Sequence, residues 1–170
     1  INHHLFAIKI LFDYVLQSGY MDALPIIPKY QRTRQEPKEI LSVDEVKSMY
    51  EACKNLKETA LLSCAYGLGL RRSEIVSLQL SDIDVKLGKV IVRSGKGGKR
   101  REVPMSDKVI TDIRDYVHYE RNMRGKKVYN LFTAPRGNRL SGYYMNTLIG
   151  KITKRVPGLQ DKNVTLHTMR

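Results

Sequence analysis

Tryptophan is absent from this chain, and phenylalanine occurs only three times in 170 residues. The core must therefore be built from aliphatic side chains with a few tyrosines, not from large aromatic anchors. Cysteine is scarce as well. Cys53 and Cys64 sit in helical patterns with no histidine or cysteine cluster nearby, so neither a disulfide framework nor a zinc site is indicated. Two reduced core thiols in a cytoplasmic protein are the expectation. No stretch is long and apolar enough to span a bilayer, and no signal peptide is recognisable. Acidic side chains are in short supply too: 17 Asp and Glu face 30 Lys and Arg, a formal charge of +13. Self-repulsion on that scale destabilises a fold unless the partner is a polyanion, which leaves DNA, RNA or an anionic membrane surface. The remaining composition, 42% hydrophobic and 28% charged, is that of a globular protein.

Along the chain, Leu5, Ile8, Leu11, Phe12, Val15 and Leu16 recur at helical spacing, and Gly19 supplies a stop. Residues 25–39 read as a basic linker holding Pro25, Pro28 and Pro37, so residues 1–24 and 40–170 are expected to be separate parts. Ser42 and Glu45 have the spacing of a capping box, followed by an apolar stripe of Val46, Met49, Tyr50 and Cys53. A second helix should turn Leu61, Leu62, Ala65 and Tyr66 inward before Gly67 and Gly69 break it. A short helix resumes near Arg71 with Ile75 and Leu78 inward. Val90–Val92 and Arg101–Pro104 then read as strands flanking the loop Gly95-Lys96-Gly97-Gly98, whose glycines leave the backbone free. Ser106 is placed to cap a helix running to about Arg121, with Val109, Ile110, Ile113 and Val117 inward. Ser141 opens another that ends near Val156. The expected class is α+β, mainly helical with one small antiparallel sheet.

The cations that could carry chemistry are spread along this layout. Arg71 follows a glycine break, Lys96 tips the glycine-rich loop, and His167 and Arg170 are three apart and would share a helical face. Arginine forks match phosphate oxygens, lysine supplies a proton or a point charge, and histidine exchanges a proton near neutrality. Gathered around one phosphate, the four would stabilise the added charge of a phosphoryl-transfer transition state. Each residue also has a plainer reading. A basic glycine loop is often a solvated hairpin tip, Arg71 could cap its helix or pair with Glu74, and a lone histidine is more often surface or core.

The order of these residues carries further information. Ala65-Tyr66-Gly67-Leu68-Gly69-Leu70-Arg71-Arg72-Ser73-Glu74-Ile75-Val76-Ser77-Leu78, followed by Asp82-Ile83-Asp84, resembles the first arginine box of the tyrosine recombinases, or phage integrase family. Gly95 to Pro104 resembles that family's β-hairpin lysine motif, and Leu166 to Arg170 resembles the start of its His-x-x-Arg box. The resemblance runs from about residue 40 to the end. The opening helix looks like the last helix of the family's DNA-clamping N-terminal domain.

The resemblance implies roles. Arg71 and Arg170 would hold the scissile phosphate of double-stranded DNA, Lys96 would protonate the departing 5′ oxygen, and His167 would assist proton transfer. Glu74 would position Arg71. The nucleophile would be a tyrosine beyond the His-x-x-Arg box, forming a 3′-phosphotyrosine linkage without ATP or metal. No tyrosine follows Arg170 here, so these residues alone are expected to cut nothing. A tetramer on DNA is also implied. Candidates for phosphate contact are Lys29, Arg32, Arg34, Lys99, Arg101, Lys151, Lys154 and Arg155, though for most of them a charged, solvated face that steers without a specific contact is the stronger reading. Arg139, Ser141 and Tyr143, near a helix that the resemblance would bring to the major groove, are candidates for base or nearby backbone contact. Two alternatives stay open: a non-catalytic DNA-binding module with the same fold, and an RNA-binding protein, which would account for the charge alone.

Overall fold

The computed structural model describes residues 2–28, 40–93, 100–121, 129–134 and 137–169. It divides into two compact units, Ile1–Pro37 and Lys38–Arg170. In the first, helix α1 spans Asn2–Gln17. It stops at Gly19, whose φ of 73° is open to glycine at no steric cost. The amides of Gly19 and Tyr20 turn back onto the carbonyls of Leu16 and Val15 at 3.1 Å each.

The second unit opens with α2 (Val43–Glu51), started by the expected capping box. The Glu45 amide donates to Ser42 Oγ at 3.2 Å, and the Ser42 amide donates to Glu45 Oε2 at 2.8 Å. Helix α3 (Leu56–Leu62) is capped by Asn55 and widens into a π turn over Ser63–Gly67. Leu61, Leu62 and Ala65 are buried as expected, but Tyr66 is 42% exposed. The wider turn is the reason. One residue more per turn rotates the chain beyond it, so Ser63 and Cys64 take inward positions and Tyr66 swings out. Gly69, at φ 57°, then reverses the chain. Helix α4 (Arg72–Ser77) buries Ile75, and Leu78 behind it is buried too.

Strands β1 (Ile83–Asp84), β2 (Lys89–Val92) and β3 (Arg101–Pro104) form an antiparallel sheet in that order. Val90 and Val92 face the core, in keeping with the two-residue period of a strand. Val92 is paired with Arg101 at the end of the β2–β3 ladder. Lys96 and Lys99, together with the expectation of a loop at Gly95–Gly98, lie outside the described residues.

Helix α5 (Asp107–Asp115) runs into a second π turn, Tyr116–Glu120. Ser106 stands at the cap position but its side chain makes no cap bond. Val109 and Ile113 are buried, whereas Ile110 and Val117 are only half-buried. The fully buried anchor is Tyr116, its ring stacked on Phe132 at 5.3 Å between centroids. Helix α6 (Gly142–Thr153) begins at Ser141, which accepts the Tyr144 amide at 3.2 Å. Met145, Ile149 and Ile152 complete a core shared with Met49, Leu61, Leu70 and Ile75. A mainly helical unit with one small sheet is what the sequence led us to expect. Among the described residues no helix is long and apolar enough to cross a membrane.

Candidate phosphate-binding cleft

Three chain segments that are distant in sequence meet at one open cleft of about 440 Å³. Arg71, Arg72 and Ser73 come from the start of α4, Asn146 from the first turns of α6, and Thr165, Leu166 and His167 from the last turn of the chain. Arg71 is half-buried at the cap position of α4, in extended backbone at φ −70°, ψ 152°. Glu74 fixes it there twice: the Arg71 amide donates to Glu74 Oε2 at 2.7 Å, and Arg71 Nη1 donates to Oε1 at 3.0 Å. Arg71 therefore pairs with Glu74 at the helix cap and also lines the cleft.

Glu74 has a second partner. Arg101 on β3 grips the same carboxylate with both arms, Nη1 to Oε1 at 2.6 Å and Nη2 to Oε2 at 2.9 Å. The Glu74 side chain is 2% exposed and accepts four hydrogen bonds. Burial pushes its pKa up, but the bonds from Arg101 and Arg71 outweigh that and hold it down at about 2. The carboxylate is thus ionised throughout the ordinary pH range. Arg101 fills it from one side by a two-armed pair, while Arg71 spends one side-chain donor on it. Among the described residues the remaining N–H groups of Arg71 have no partner and are left for the cleft. Arg101, named as a candidate for DNA phosphate, has both arms of its fork on Glu74. Arg155, also such a candidate, is likewise turned inward, with both arms on Glu58 at 2.6 and 2.9 Å and a bond to the Ala52 carbonyl at 2.9 Å.

His167 is exposed at the cleft. The turn that presents it starts at Thr165, whose Oγ1 accepts the His167 amide at 3.3 Å and whose carbonyl accepts the Met169 amide at 3.3 Å. Asn146 steadies the same turn by accepting the Leu166 amide at 3.2 Å. Arg170 lies outside the described residues. Of the four expected phosphate ligands, the structure brings Arg71 and His167 to one cleft. Arg139, Ser141 and Tyr143 lie together at the start of α6; Tyr143 is 84% exposed. An isolated antiparallel bridge pairs Arg139 with Thr133.

Sequence reasoning missed Asn146 and Thr165, because their roles exist only once α6 and the last turn are packed together. It also passed over Arg72, whose signal is its place beside Arg71 in the first arginine box.

Residues 39–170 match the sequence profile described as the phage integrase family. Tyrosine recombinase XerA of Pyrococcus horikoshii is 37% identical over 133 residues, which are 76% of this chain and 44% of that protein. Tyrosine recombinase XerC of Thermodesulfovibrio yellowstonii is 31% identical over 178 residues, 98% of this chain and 58% of that protein. The chain thus spans about half the length of the curated relatives it matches. Among solved structures, a crystal structure of XerA recombinase superposes with a TM-score of 0.70 at 26% identity, covering 79% of this chain and 48% of that one. The Tn1549 transposon integrase, solved in complex with circular intermediate DNA, shares the fold with a TM-score of 0.81 at 19% identity, over 99% of this chain and 62% of that one. With its arginine box folded around a cationic cleft and its sequence matched over most of its length, this chain belongs to the phage integrase family of tyrosine recombinases.

Proposed function

We propose that the protein is a site-specific DNA recombinase, and that residues 40–170 supply the part of its catalytic domain that handles the scissile phosphate. One observation carries this most directly: Arg71, anchored on Glu74 with donors to spare, shares a cleft with His167. In the reaction a tyrosine hydroxyl oxygen attacks the phosphorus of one strand, the bond to the 5′ oxygen breaks, and that oxygen leaves with a proton. A 3′-phosphotyrosine ester then stores the bond energy until a hydroxyl from another strand reverses the step. Arg71 and Arg170 hold the non-bridging oxygens, where the added charge develops. Lys96 gives the proton to the departing 5′ oxygen, and His167 serves the proton transfers at the nucleophile. Glu74 positions Arg71. Lys99, Arg139, Ser141 and Tyr143 meet the duplex around the site, the last three from the start of α6. The first unit, residues 1–24, belongs to a DNA-clamping domain joined by the linker 25–39. The protein works in the cytoplasm as a homotetramer on DNA, as the family resemblance implies.

The test is covalent trapping. The full-length protein is incubated with a nicked suicide duplex carrying its recombination site, and a denaturant-resistant protein–DNA adduct is measured. Arg71→Ala should abolish the adduct while leaving much of the duplex affinity, which is spread over many phosphate contacts. Trapping by Arg71→Ala at the parent's level would refute the assignment. Duplex binding by a parent that never traps would leave a DNA-binding module instead of an enzyme.

A further inference from the structure

Arg72 has no part in the phosphoryl-transfer chemistry assigned to Arg71 and His167. It opens α4, is exposed, and lines the same cleft as those two residues. Among the described residues no hydrogen bond or ion pair holds its guanidinium. Other arginines of this unit are paired: Arg101 by both arms and Arg71 by one donor with Glu74, Arg93 with Asp82, and Arg155 with Glu58.

The stem of Arg72 nevertheless has a seat. A side chain begun at Gly142 would place its Cβ 3.1 Å from Arg72 Cδ, 3.2 Å from Cγ and 3.4 Å from Nε. Gly142 is the first residue of α6 and is not among the glycines with positive φ, so no turn demands glycine there. Alanine would be the better helix former at such a position. What glycine provides is room: the Arg72 stem lies in the space a methyl group would occupy.

We propose that Arg72 is a second phosphate-binding residue, seated across Gly142 so that its fork takes a backbone phosphate of the duplex other than the one at Arg71. The proposal rests on the chain being a DNA recombinase. Arg71 is tied to Glu74 while Arg72 is laid against α6, and successive residues at a helix start do not face the same way. The two forks therefore address different phosphates. A phosphate contact positions the duplex without reading its sequence.

The chain's affinity for short duplexes of several sequences can be followed by fluorescence anisotropy between about 50 and 200 mM salt. Each neutralised phosphate contributes about 0.9 to the slope of log affinity against log salt. Arg72→Gln should flatten that slope by about one such increment on every duplex, with an unchanged thermal midpoint. Gly142→Ala keeps the net charge and should not lower the midpoint, yet it should weaken binding, because the stem is pushed from its seat. In an Arg72→Gln background, Gly142→Ala should then do nothing further. An unchanged slope in Arg72→Gln, a loss confined to one duplex sequence, or a Gly142→Ala effect that persists without Arg72 would each overturn the proposal. A parent chain with no salt-dependent duplex affinity would overturn the DNA reading itself, and this proposal with it.

Discussion

Replacing Glu74 by glutamine tests whether one buried carboxylate organises the cleft. The substitution keeps the shape and removes the charge that Arg71 and Arg101 share. Four donor bonds converge on the carboxylate now. Glutamine offers one acceptor oxygen and turns an NH2 toward two guanidinium groups, which then face each other uncompensated. The size of the effect follows from linkage. The folded-state pKa is held at about 2 against an ordinary 4.5. A separation of about 2.5 units corresponds to about 3 kcal/mol at neutral pH. Because the folded pKa is depressed, this contribution is complete above the unfolded value. It declines as the pH falls from 4.5 toward 2, and about 1.5 kcal/mol should remain at pH 3. The two arginine side chains are each 34% exposed, so water relieves part of their repulsion and the figure is an upper one. Urea unfolding of parent and Glu74→Gln at pH 7 and at pH 3 measures both numbers. A gap near 3 kcal/mol that halves in acid supports the reasoning. A gap of the same size at both pH values, or one below about 0.5 kcal/mol at pH 7, would refute it.

Two other positions offer tests away from the cleft. Arg155→Met should destabilise the unit by about 2–3 kcal/mol, since Glu58, 4% exposed, would lose both side-chain bonds of its partner. Chemical denaturation reads this directly, and because hydrogen bonds from Arg155 and the Lys54 amide overcome burial to hold the Glu58 pKa down, the deficit should shrink in acid. Gly67→Ala would set a Cβ 2.7 Å from Val109 Cγ2, so overpacking should cost about 1–3 kcal/mol even though alanine is the better helix former. A thermal midpoint equal to or above the parent's would contradict that.

Signals of short range in the chain are legible without coordinates. The Ser42–Glu45 box, the Gly69 break, the strand pair and the Arg71–Glu74 spacing all lie within a few residues, where local sterics and hydrogen bonding decide the outcome. The failures have equally specific causes. An ideal 3.6-residue period turns Tyr66 inward, and the π turn at Ser63–Gly67 breaks that period. Tyr116 does not stand out as an anchor because a similar turn begins at that residue and because its partner, Phe132, comes from a loop. The pairing of Arg101 with Glu74 and of Arg155 with Glu58 is not legible, because the partners lie 27 and 97 residues apart, a separation that no local pattern can bridge.

Those two pairings bear on how a charge of +13 is distributed. Composition treats all thirty basic side chains alike, but a buried, ionised carboxylate takes up hydrogen-bond donors of the cation it is paired with. Glu74 does this to Arg101 and only partly to Arg71, and the difference lies in bond count: two arms against one. The carboxylate that could have neutralised the first arginine is instead saturated from the sheet side, so Arg71 is oriented by Glu74 without being fully consumed by it. Arg72, one residue on, packs its stem against Gly142 and has no hydrogen bond or ion pair among the described residues. Among the described residues the two arginines of the box both line the cleft, and the buried Glu74 takes one side-chain donor of the first of them.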